Sequence, residues 1–301
     1  MNRVGRKTLE DIVLDAFIYI CLIFLVVVTL YPFLNTLAVS FNDAMDSSRG
    51  GITLWPRVFT LYNYQTLLTR SQIYHATLVS AARTILSTAI GTFCTAMAAY
   101  IISRREFVLR RLVSFIYVLT MYIDGGLVPT YFLMRSLGLV NSFWVYVVPG
   151  LVSAFNLIVI RTYIAGLSDS YVESARIDGA GEFTIFLRII LPLCKPVLAT
   201  IALFIAVDNW NAWFDTFLYN SANLQLSTLQ YELMKVLQTA NTMSNSLLQA
   251  LSRAAAGTTN TVTPRAIRAT MTIIVSVPIV VVYPFLQRYF VHGLTLGGIK
   301  E

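Results

Sequence analysis

The chain of 301 residues is 56% hydrophobic and only 12% charged, whereas soluble domains are roughly half apolar and a quarter charged. This composition excludes an ordinary soluble domain and indicates a membrane protein. The net charge of +7 does not require a nucleic acid, because basic residues at the ends of apolar runs are explained by membrane insertion and anionic lipid. We therefore expect membrane lipid, and no nucleic acid, as a partner.

Long uncharged runs predict the membrane spans, because a helix needs about 20 apolar residues to cross a bilayer. Asp, Glu, Lys and Arg are absent from residues 16–42, 84–103, 136–160 and 269–287. Two weaker spans are predicted at 112–134 and 197–218, which contain Asp124 in the first and Asp208 and Asp215 in the second. A lipid-exposed sheet edge would leave backbone groups unpaired. The predicted fold class is therefore all-α, a polytopic membrane protein with six transmembrane helices.

Basic residues between these spans predict the orientation of the chain. They cluster before span one, between spans two and three, and between spans four and five: Arg3, Arg6, Lys7, Arg104, Arg105, Arg110, Arg111, Arg161, Arg176, Arg188 and Lys195. We expect these segments to be cytoplasmic, with both chain ends (1–15 and 291–301) on that side. The membrane domain is then 16–290, with outer segments at 43–73 and 219–268 and a cytoplasmic loop at 168–192.

The loop 168–192 contains signals for two short helices. Ser170-Tyr171-Val172-Glu173 has the form of a capping box, which predicts a helix that begins at Ser170. Gly179 is expected to end it, since glycine adopts the left-handed conformation without a Cβ penalty. A second helix is predicted from Glu182, with apolar residues at three- and four-residue spacing, followed by a break at Pro192.

Two interpretations of this loop are open. Its caps and charges suit a solvated surface loop that has no partner. Its apolar side chains have no reason to face water unless another surface covers them: Ile177, Phe183, Phe186 and Ile190. The second interpretation makes the loop a docking element.

The loop also resembles the signature of ABC importer permease subunits. Glu173-Ser174-Ala175, Gly179 and Ile189-x-Leu191-Pro192 match the pattern E-A-A-x3-G-x9-I-x-L-P, with Ser174 in place of an alanine. Other stretches, among them LYPFLNTLAVSFND and VYPFLQRYFVHGLTLGGIKE, are similar to the carbohydrate-uptake branch that includes permeases for lipo-oligosaccharides, aldouronates and alginate oligosaccharides.

This resemblance implies a cytoplasmic helix-turn-helix coupling loop whose first helix lies in a groove of an ATPase. The implied coupling residues are Glu173, Ser174, Ala175, Asp178, Gly179, Ala180 and Phe183. The implied partners are a second permease subunit, two ABC ATPase subunits that use ATP and Mg, and an extracytoplasmic solute-binding protein that delivers oligosaccharides, uronate-containing ones included. The sequence has no G-x-x-x-x-G-K-[S/T] phosphate loop, so we expect a transport subunit of the inner membrane that is no enzyme and binds no cofactor.

Span five carries the most polar chemistry, in the stretch AVDNWNAWFDTF. On a continuous helix Asp208, Asn211 and Asp215 would share one face, beside a face of aromatic rings. Hydrogen-bonding groups next to aromatic faces suit a sugar. The predicted substrate path consists of Asn209, Trp210, Asn211 and Trp213, together with Asp124 from span three. The alternative is that the tryptophans form an interfacial belt and the acids lie at the water boundary.

Asp124 precedes Gly125 and Gly126. An ionisable group at membrane depth is a functional candidate by default. Equally, its carboxylate can bond backbone groups that the glycines leave free.

Two other function classes were compared with an importer subunit. A secondary transporter or channel for a polar solute would also have polar breaks in its spans, but it has no need of the loop signature. An intramembrane enzyme would require a nucleophile with a base or a metal cluster, and no such spacing is present. The three cysteines have no paired spacing, so no metal site is predicted.

Overall fold

The computed structural model describes residues 9–242 and 263–293. Within these ranges the regular structure is helical, apart from one isolated bridge between Asn42 and Phe59. The all-α fold class is confirmed. Residues 1–8, 243–262 and 294–301 are not described. The predictions that concern them, including those for Arg3, Arg6 and Lys7, therefore lie outside the described residues.

The chain forms two compact units. The first consists of residues 1–69 and 236–274, and the second of residues 70–235 and 275–301. The first unit contains helices α1 (Leu9–Ser40), α2 (Ala44–Ser48) and α3 (Tyr62–Leu68). The second contains α4 (Ser71–Ser103), α5 (Arg110–Leu119), α6 (Leu127–Ser136), α7 (Ala154–Ala165), α8 (Ser170–Ile177), α9 (Glu182–Ile185), α10 (Leu191–Leu193), α11 (Lys195–Asn211) and α12 (Phe214–Tyr219). Two further helices, α13 (Leu229–Thr242) and α14 (Pro264–Gly293), each have residues in both units.

In the first unit, α1 exposes apolar side chains along most of its length and is buried only at residues 38–40. Such a surface suits lipid rather than water. The chain after α1 is held by side-chain amides, because Asn63 donates to the carbonyls of Ser40 and Asn42 at 3.1 and 2.9 Å. Asp43 caps α2 by accepting from the backbone amides of residues 45 and 46.

In the second unit, α4 packs against both α7 and α11. The core contains Ala99, Leu157, Ile160 and Ile201, none of which has measurable exposure. Gly91 of α4 lies directly against α11, since a Cβ built on it would be 3.6 Å from the Ile205 side chain, an ordinary contact distance. This packing places α7 and α11 side by side, and the cavity described in the next subsection lies between them.

In the part of the chain that the structure describes, three helices are long and apolar enough to cross a membrane: Leu9–Ser40, Ser71–Ser103 and Pro264–Val282. Two bent pairs bring the number among the described residues to five if each pair is one span. They are Phe143–Gly150 with Ala154–Ala165, bent by 45°, and Glu182–Leu193 with Lys195–Asn211, bent by 84°. Predicted span three is divided into α5 and α6 by residues 120–126. The count of six spans stays a prediction.

Predicted span four, residues 136–160, is not one continuous helix. α6 ends at Ser136, two short 3₁₀ turns occupy residues 143–150, and α7 begins at Ala154. Pro149 and Gly150 interrupt the helix, and hydroxyls of α4 replace part of the lost bonding. Ser87 donates to the carbonyl of residue 146 and Thr95 to that of residue 151, both at 3.2 Å. An uncharged run therefore predicted apolar surroundings but not helix continuity.

Candidate functional site

The loop after α7 folds into the predicted helix, turn and helix. α8 begins at Ser170 as predicted, but the capping box does not form. The N-cap residue is Asp169, which has a helical backbone and makes no side-chain cap. The Ser170 hydroxyl instead bonds that of Ser168 at 2.7 Å. Because Ser170 is already inside the helix, its hydroxyl cannot cap the helix start.

Gly179 ends α8, as predicted. Its φ is +80°, and two reverse hydrogen bonds close the turn. The amide of Ala180 donates to the carbonyl of Ala175 at 2.9 Å, and the amide of Gly179 donates to that of Arg176 at 3.0 Å. This is a Schellman motif. No atom lies within 4 Å of a Cβ built on Gly179, so the turn needs glycine for its backbone conformation and not for space.

The second helix begins at Glu182, also as predicted, and continues through a π turn at Phe186–Ile190 into α10. The break expected near Pro192, at or just before span five, is present: the chain bends by 84° between Leu193 and Lys195. Proline is tolerated in the first turn of a helix, where its missing N–H is not needed. Pro192 is therefore the second residue of α10 and does not end the helix before it.

The apolar side chains of this segment divide into two sets. Phe186 and Ile190 are buried in the core against α4, so half of the residues that indicated docking are explained by packing. Ile177 and Phe183 remain 87% and 60% exposed. Of the other implied coupling residues, Glu173, Ser174, Asp178 and Gly179 are also exposed, Ala175 is buried and Ala180 is partly buried.

An arginine ties the two helices of this segment to the rest of the unit. Arg176 donates to Glu106 at 2.5 Å and to Glu182 at 2.7 Å, and the Tyr100 hydroxyl donates to Glu182 at 2.6 Å. The hydrogen bond from Arg176 lowers the pKa of Glu106, and the same bond raises the pKa of Arg176. Sequence reasoning missed Glu106 and Tyr100, because both are about 70 or more residues away in sequence.

Span five contains a second break, which the sequence did not predict. α11 ends at Asn211, Ala212 is extended, and α12 begins at Phe214. The expectation that Asp208, Asn211 and Asp215 share one face of a continuous helix was therefore wrong.

A buried arginine bridges this break. Arg83 of α4 is 3% exposed and forms an ion pair with Asp215. It also donates to the Ala212 carbonyl at 3.1 Å and to the Asn209 side chain at 3.3 Å. Its guanidinium carbon lies 4.7 Å from the ring centre of Tyr146. Sequence reasoning missed Arg83, although its position directly before an uncharged run was a usable signal.

The predicted path residues of span five lie in different surroundings. Both ends of the Asn209 amide are bonded, to Arg83 and to the Ile205 carbonyl. The Trp210 indole donates to the Val275 carbonyl at 3.0 Å. Trp213 makes an edge contact with Phe214, and Asn211 is exposed.

Asp124 makes the backbone contact that its second interpretation expects, and its assignment to the substrate path stays a prediction. It is exposed, and its carboxylate accepts from the backbone amide of Gly126 at 3.1 Å. Gly126 has a φ of +82° and is the N-cap of α6. The side chain therefore stabilises the turn that the glycines form.

A cavity of 730 Å³ lies beside Asp208, between the start of α7 and α11. Its lining residues are Gly150, Ser153, Phe155, Asn156, Leu203, Phe204, Ile205, Val207, Asp208 and Asn209. Of these only Asp208 and Asn209 were singled out from the sequence, because the α7 wall lies inside a run that contains no charge.

Comparison with known proteins agrees with this architecture. The chain is 32% identical to the polygalacturonan/rhamnogalacturonan transport system permease protein YtcP of Bacillus subtilis, over 95% of this chain and 98% of the relative. It is 34% identical to the protein LplC of the same organism, over 91% and 90%. A bacterial ABC transporter involved in the import of the acidic polysaccharide alginate contains a chain of similar structure, with a TM-score of 0.83 and 26% identity, over 95% of this chain and all of that chain.

Residues 87–295, more than two thirds of the chain, match the family described as binding-protein-dependent transport system inner membrane component. This range contains α8, its glycine turn and the broken span five. The chain therefore belongs to the family of binding-protein-dependent transport system inner membrane components, and it is a transport subunit rather than an enzyme.

Proposed function

We propose that this chain is a membrane-spanning subunit of an ATP-driven importer that carries oligosaccharides, uronate-containing ones included, across the inner membrane. Its relatives include permeases named for polygalacturonan and rhamnogalacturonan, arabino-oligosaccharides and galacto-oligosaccharides. In this proposal a solute-binding protein delivers the cargo, a second permease completes the path, and two ATPase subunits that use ATP and Mg supply the energy.

The observation that carries the proposal is the coupling segment, residues 168–193. Its two helices are anchored to the unit by buried apolar residues and by Arg176. Ile177 and Phe183 are nevertheless held outward at 87% and 60% exposure. Exposed apolar side chains on a rigid, polar-rimmed surface are typical of a protein interface. We assign this surface to the ATPase, with Glu173, Ser174, Ala175, Asp178, Gly179 and Ala180 forming and holding the docking helix and its turn.

Copurification of the ATPase tests this assignment. The tagged chain is purified from its native membrane, and the amount of bound ATPase is measured for the wild type, Ile177→Ser and Phe183→Ser. Ile177→Ser removes an exposed apolar side chain. Phe183→Ser also removes a ring contact with Phe186 at 6.4 Å, but Phe186 keeps its ring contacts with Phe93 and Tyr100, so we expect normal membrane levels and at least a fivefold loss of ATPase for both variants. Leu137→Ser is the matched control, because Leu137 is also exposed, at 59%, but lies at the end of α6, outside the coupling segment. Equal retention of the ATPase in all variants would exclude this surface as its docking site.

Energy coupling separates the proposal from a secondary transporter. In vesicles that contain the complex and loaded binding protein, uptake should require ATP inside and persist when ion gradients are collapsed. Uptake driven by an ion gradient without ATP would contradict the proposal.

The proposed orientation, with both termini cytoplasmic, is tested by labelling. After Cys21, Cys94 and Cys194 are replaced by serine, an impermeant thiol reagent should label Ser48→Cys and Asn223→Cys from outside. Ser103→Cys should react only in lysed cells. Labelling of Ser103→Cys from outside would reverse the assigned topology.

A further inference from the structure

The cavity between α7 and α11 has the size of a small-molecule site. Its 730 Å³ lies within the range of about 300 to 1,000 Å³ that such sites occupy. All of its lining residues belong to the second unit. It lies where span four bends, and discontinuous helices in transporters supply unpaired backbone groups at such places.

Asn156 is the most informative residue of the lining. It is only 7% exposed, lines the cavity, and its side-chain amide makes no hydrogen bond with any residue that the structure describes. The Asn156 amide is not one of the side-chain groups that are sealed from the surface without a partner. It opens onto the cavity, where a ligand hydroxyl can bond it in place of water. Asn209 on the opposite wall differs, since Arg83 and the Ile205 carbonyl already occupy both ends of its amide.

The wall formed by α7 presents further hydrogen-bond donors. The first amides of a helix have no acceptor within it, and Ser153, the N-cap residue of α7, makes no side-chain cap. On the other side of the bend, by contrast, Thr95 already donates to the carbonyl of Leu151. The bend thus leaves backbone N–H donors without an acceptor in the helix at the start of α7, next to Asn156. Of the carbonyls that the bend frees, at least that of Leu151 already accepts a hydrogen bond.

The wall formed by α11 presents an acceptor and no cation. Asp208 is exposed at the cavity, and neither lysine nor arginine is among the lining residues. Arg83, behind Asn209, is paired with Asp215. Phe155 and Phe204, 51% and 37% exposed, add aromatic surface to the lining.

These observations fit the chemistry of a sugar ring, which has hydroxyls that donate and accept and C–H faces that pack on aromatic rings. We propose that this cavity is a saccharide subsite of the importer, in which Asn156 and the start of α7 donate hydrogen bonds to hydroxyl oxygens and the Asp208 carboxylate accepts hydrogen bonds from hydroxyl groups. The subsite takes a hydroxyl-bearing edge and disfavours a carboxylate, because a uronate group would meet Asp208 with no cation to offset the repulsion. This inference rests on the proposed function, and it deepens it by naming the part of the cargo that this chain contacts.

Protection of an introduced thiol tests where the cargo lies. The complete complex is reconstituted with Cys21, Cys94 and Cys194 replaced by serine, and modification of Ser153→Cys by N-ethylmaleimide is timed during turnover. Galactotriose should slow the reaction at least fivefold, and trigalacturonate should slow it less. Ser136→Cys, which is exposed outside the cavity, should react at the same rate with and without sugar. Lack of protection at Ser153→Cys, or equal protection at both positions, would overturn the subsite.

Uptake by two variants tests the assigned roles. Asn156→Ala should lower the initial rate of galactotriose uptake about tenfold, the effect of losing one hydrogen bond of ordinary strength in a buried site. Asp208→Asn should lower galactotriose uptake severalfold while changing trigalacturonate uptake less or raising it. Asp208 is exposed, so this variant tests the subsite even if Asn156→Ala does not accumulate.

Unchanged uptake in both variants, or an equal change for both sugars in Asp208→Asn, would overturn the inference while leaving the proposed function intact. A wild-type complex that imports neither sugar nor any other oligosaccharide would instead overturn the proposed function, and the subsite with it.

Discussion

Two arginines hold two turns of this molecule in place, and they do so in opposite surroundings. Arg83 bridges the break in span five and has a side chain that is 4% exposed, while Arg176 holds the coupling segment and has a side chain that is 38% exposed. Each arginine forms an ion pair with a carboxylate from another part of the chain. Their partners also differ in exposure: Asp215 is 25% exposed, whereas Glu106 is 60% exposed.

The difference in surroundings determines what each pair contributes. An exposed ion pair adds little stability, because water solvates both charges almost as well when they separate. A buried pair adds little compared with apolar residues of the same shape, but removing one partner leaves the other charge unpaired where water is scarce. Arg83 should therefore be indispensable to its turn, while Arg176 should mainly set the orientation of α8.

The largest effect is expected from Arg83→Ala. Removing the guanidinium leaves Asp215 unpaired and the Ala212 carbonyl without its donor, and breaking such a pair costs about 3 to 5 kcal/mol. The measurement is the free energy of unfolding in mixed micelles, together with the amount of protein in the membrane.

The double variant Arg83→Leu with Asp215→Leu is the control for this prediction. Because it removes both charges, it should recover most of the stability that Arg83→Ala loses. A loss below about 1 kcal/mol in Arg83→Ala, the upper value for an exposed pair, would show that water reaches this pair and would remove the contrast with Arg176.

A smaller effect is expected at the turn of the coupling segment. Gly179→Val places a β-branched residue at a φ of +80°, at a cost of about 1 to 3 kcal/mol. Transport should fall while insertion into the membrane persists, since the strain displaces α8 and leaves the spans intact. Gly181→Val is the matched control, because residue 181 has an ordinary φ of −73° and equally open space around it, so it should lose only the benefit of a glycine N-cap. Equal transport by the two variants would show that the turn tolerates the strain.

The contrast between the two turns also explains which parts of the structure could be predicted. The coupling segment is specified by local signals, so the start of α8, the glycine turn and the start of α9 follow from neighbouring residues. Its capping box failed, because Ser170 is the first residue inside the helix and the N-cap residue is Asp169, whose backbone is already helical. Its anchors in Glu106 and Tyr100 depend on tertiary contacts that no local pattern contains.

The breaks in spans four and five depend on tertiary packing instead. The sequence predicted which segments have a composition that suits lipid, but it did not predict where their helices break. The breaks depend on α4, because its hydroxyls and one arginine bond the carbonyls that the interrupted helices leave free. Asn156 was overlooked for the same reason: an uncharged polar residue in an apolar run has no signature until a cavity forms beside it. The predicted set in span five assumed one helix and therefore grouped residues that the break at Ala212 separates.

The smallest effect is expected from Arg176→Gln. The pH dependence of its loss of stability distinguishes the exposed Arg176 most clearly from the buried Arg83. Arg176 lowers the pKa of Glu106, so the pair stabilises the folded state above the unfolded pKa of this carboxyl and loses that contribution as the pH falls through the lowered value. The difference in melting temperature between wild type and Arg176→Gln should therefore be small near neutral pH and vanish in acid, once both Glu106 and Glu182 are protonated in both proteins. Glu106→Gln should show the same small loss, and adding Arg176→Gln to it should change little, because the Glu182 contact is also exposed. A loss as large as that of Arg83→Ala, or one that grows as the pH falls, would show that burial does not distinguish the two arginines.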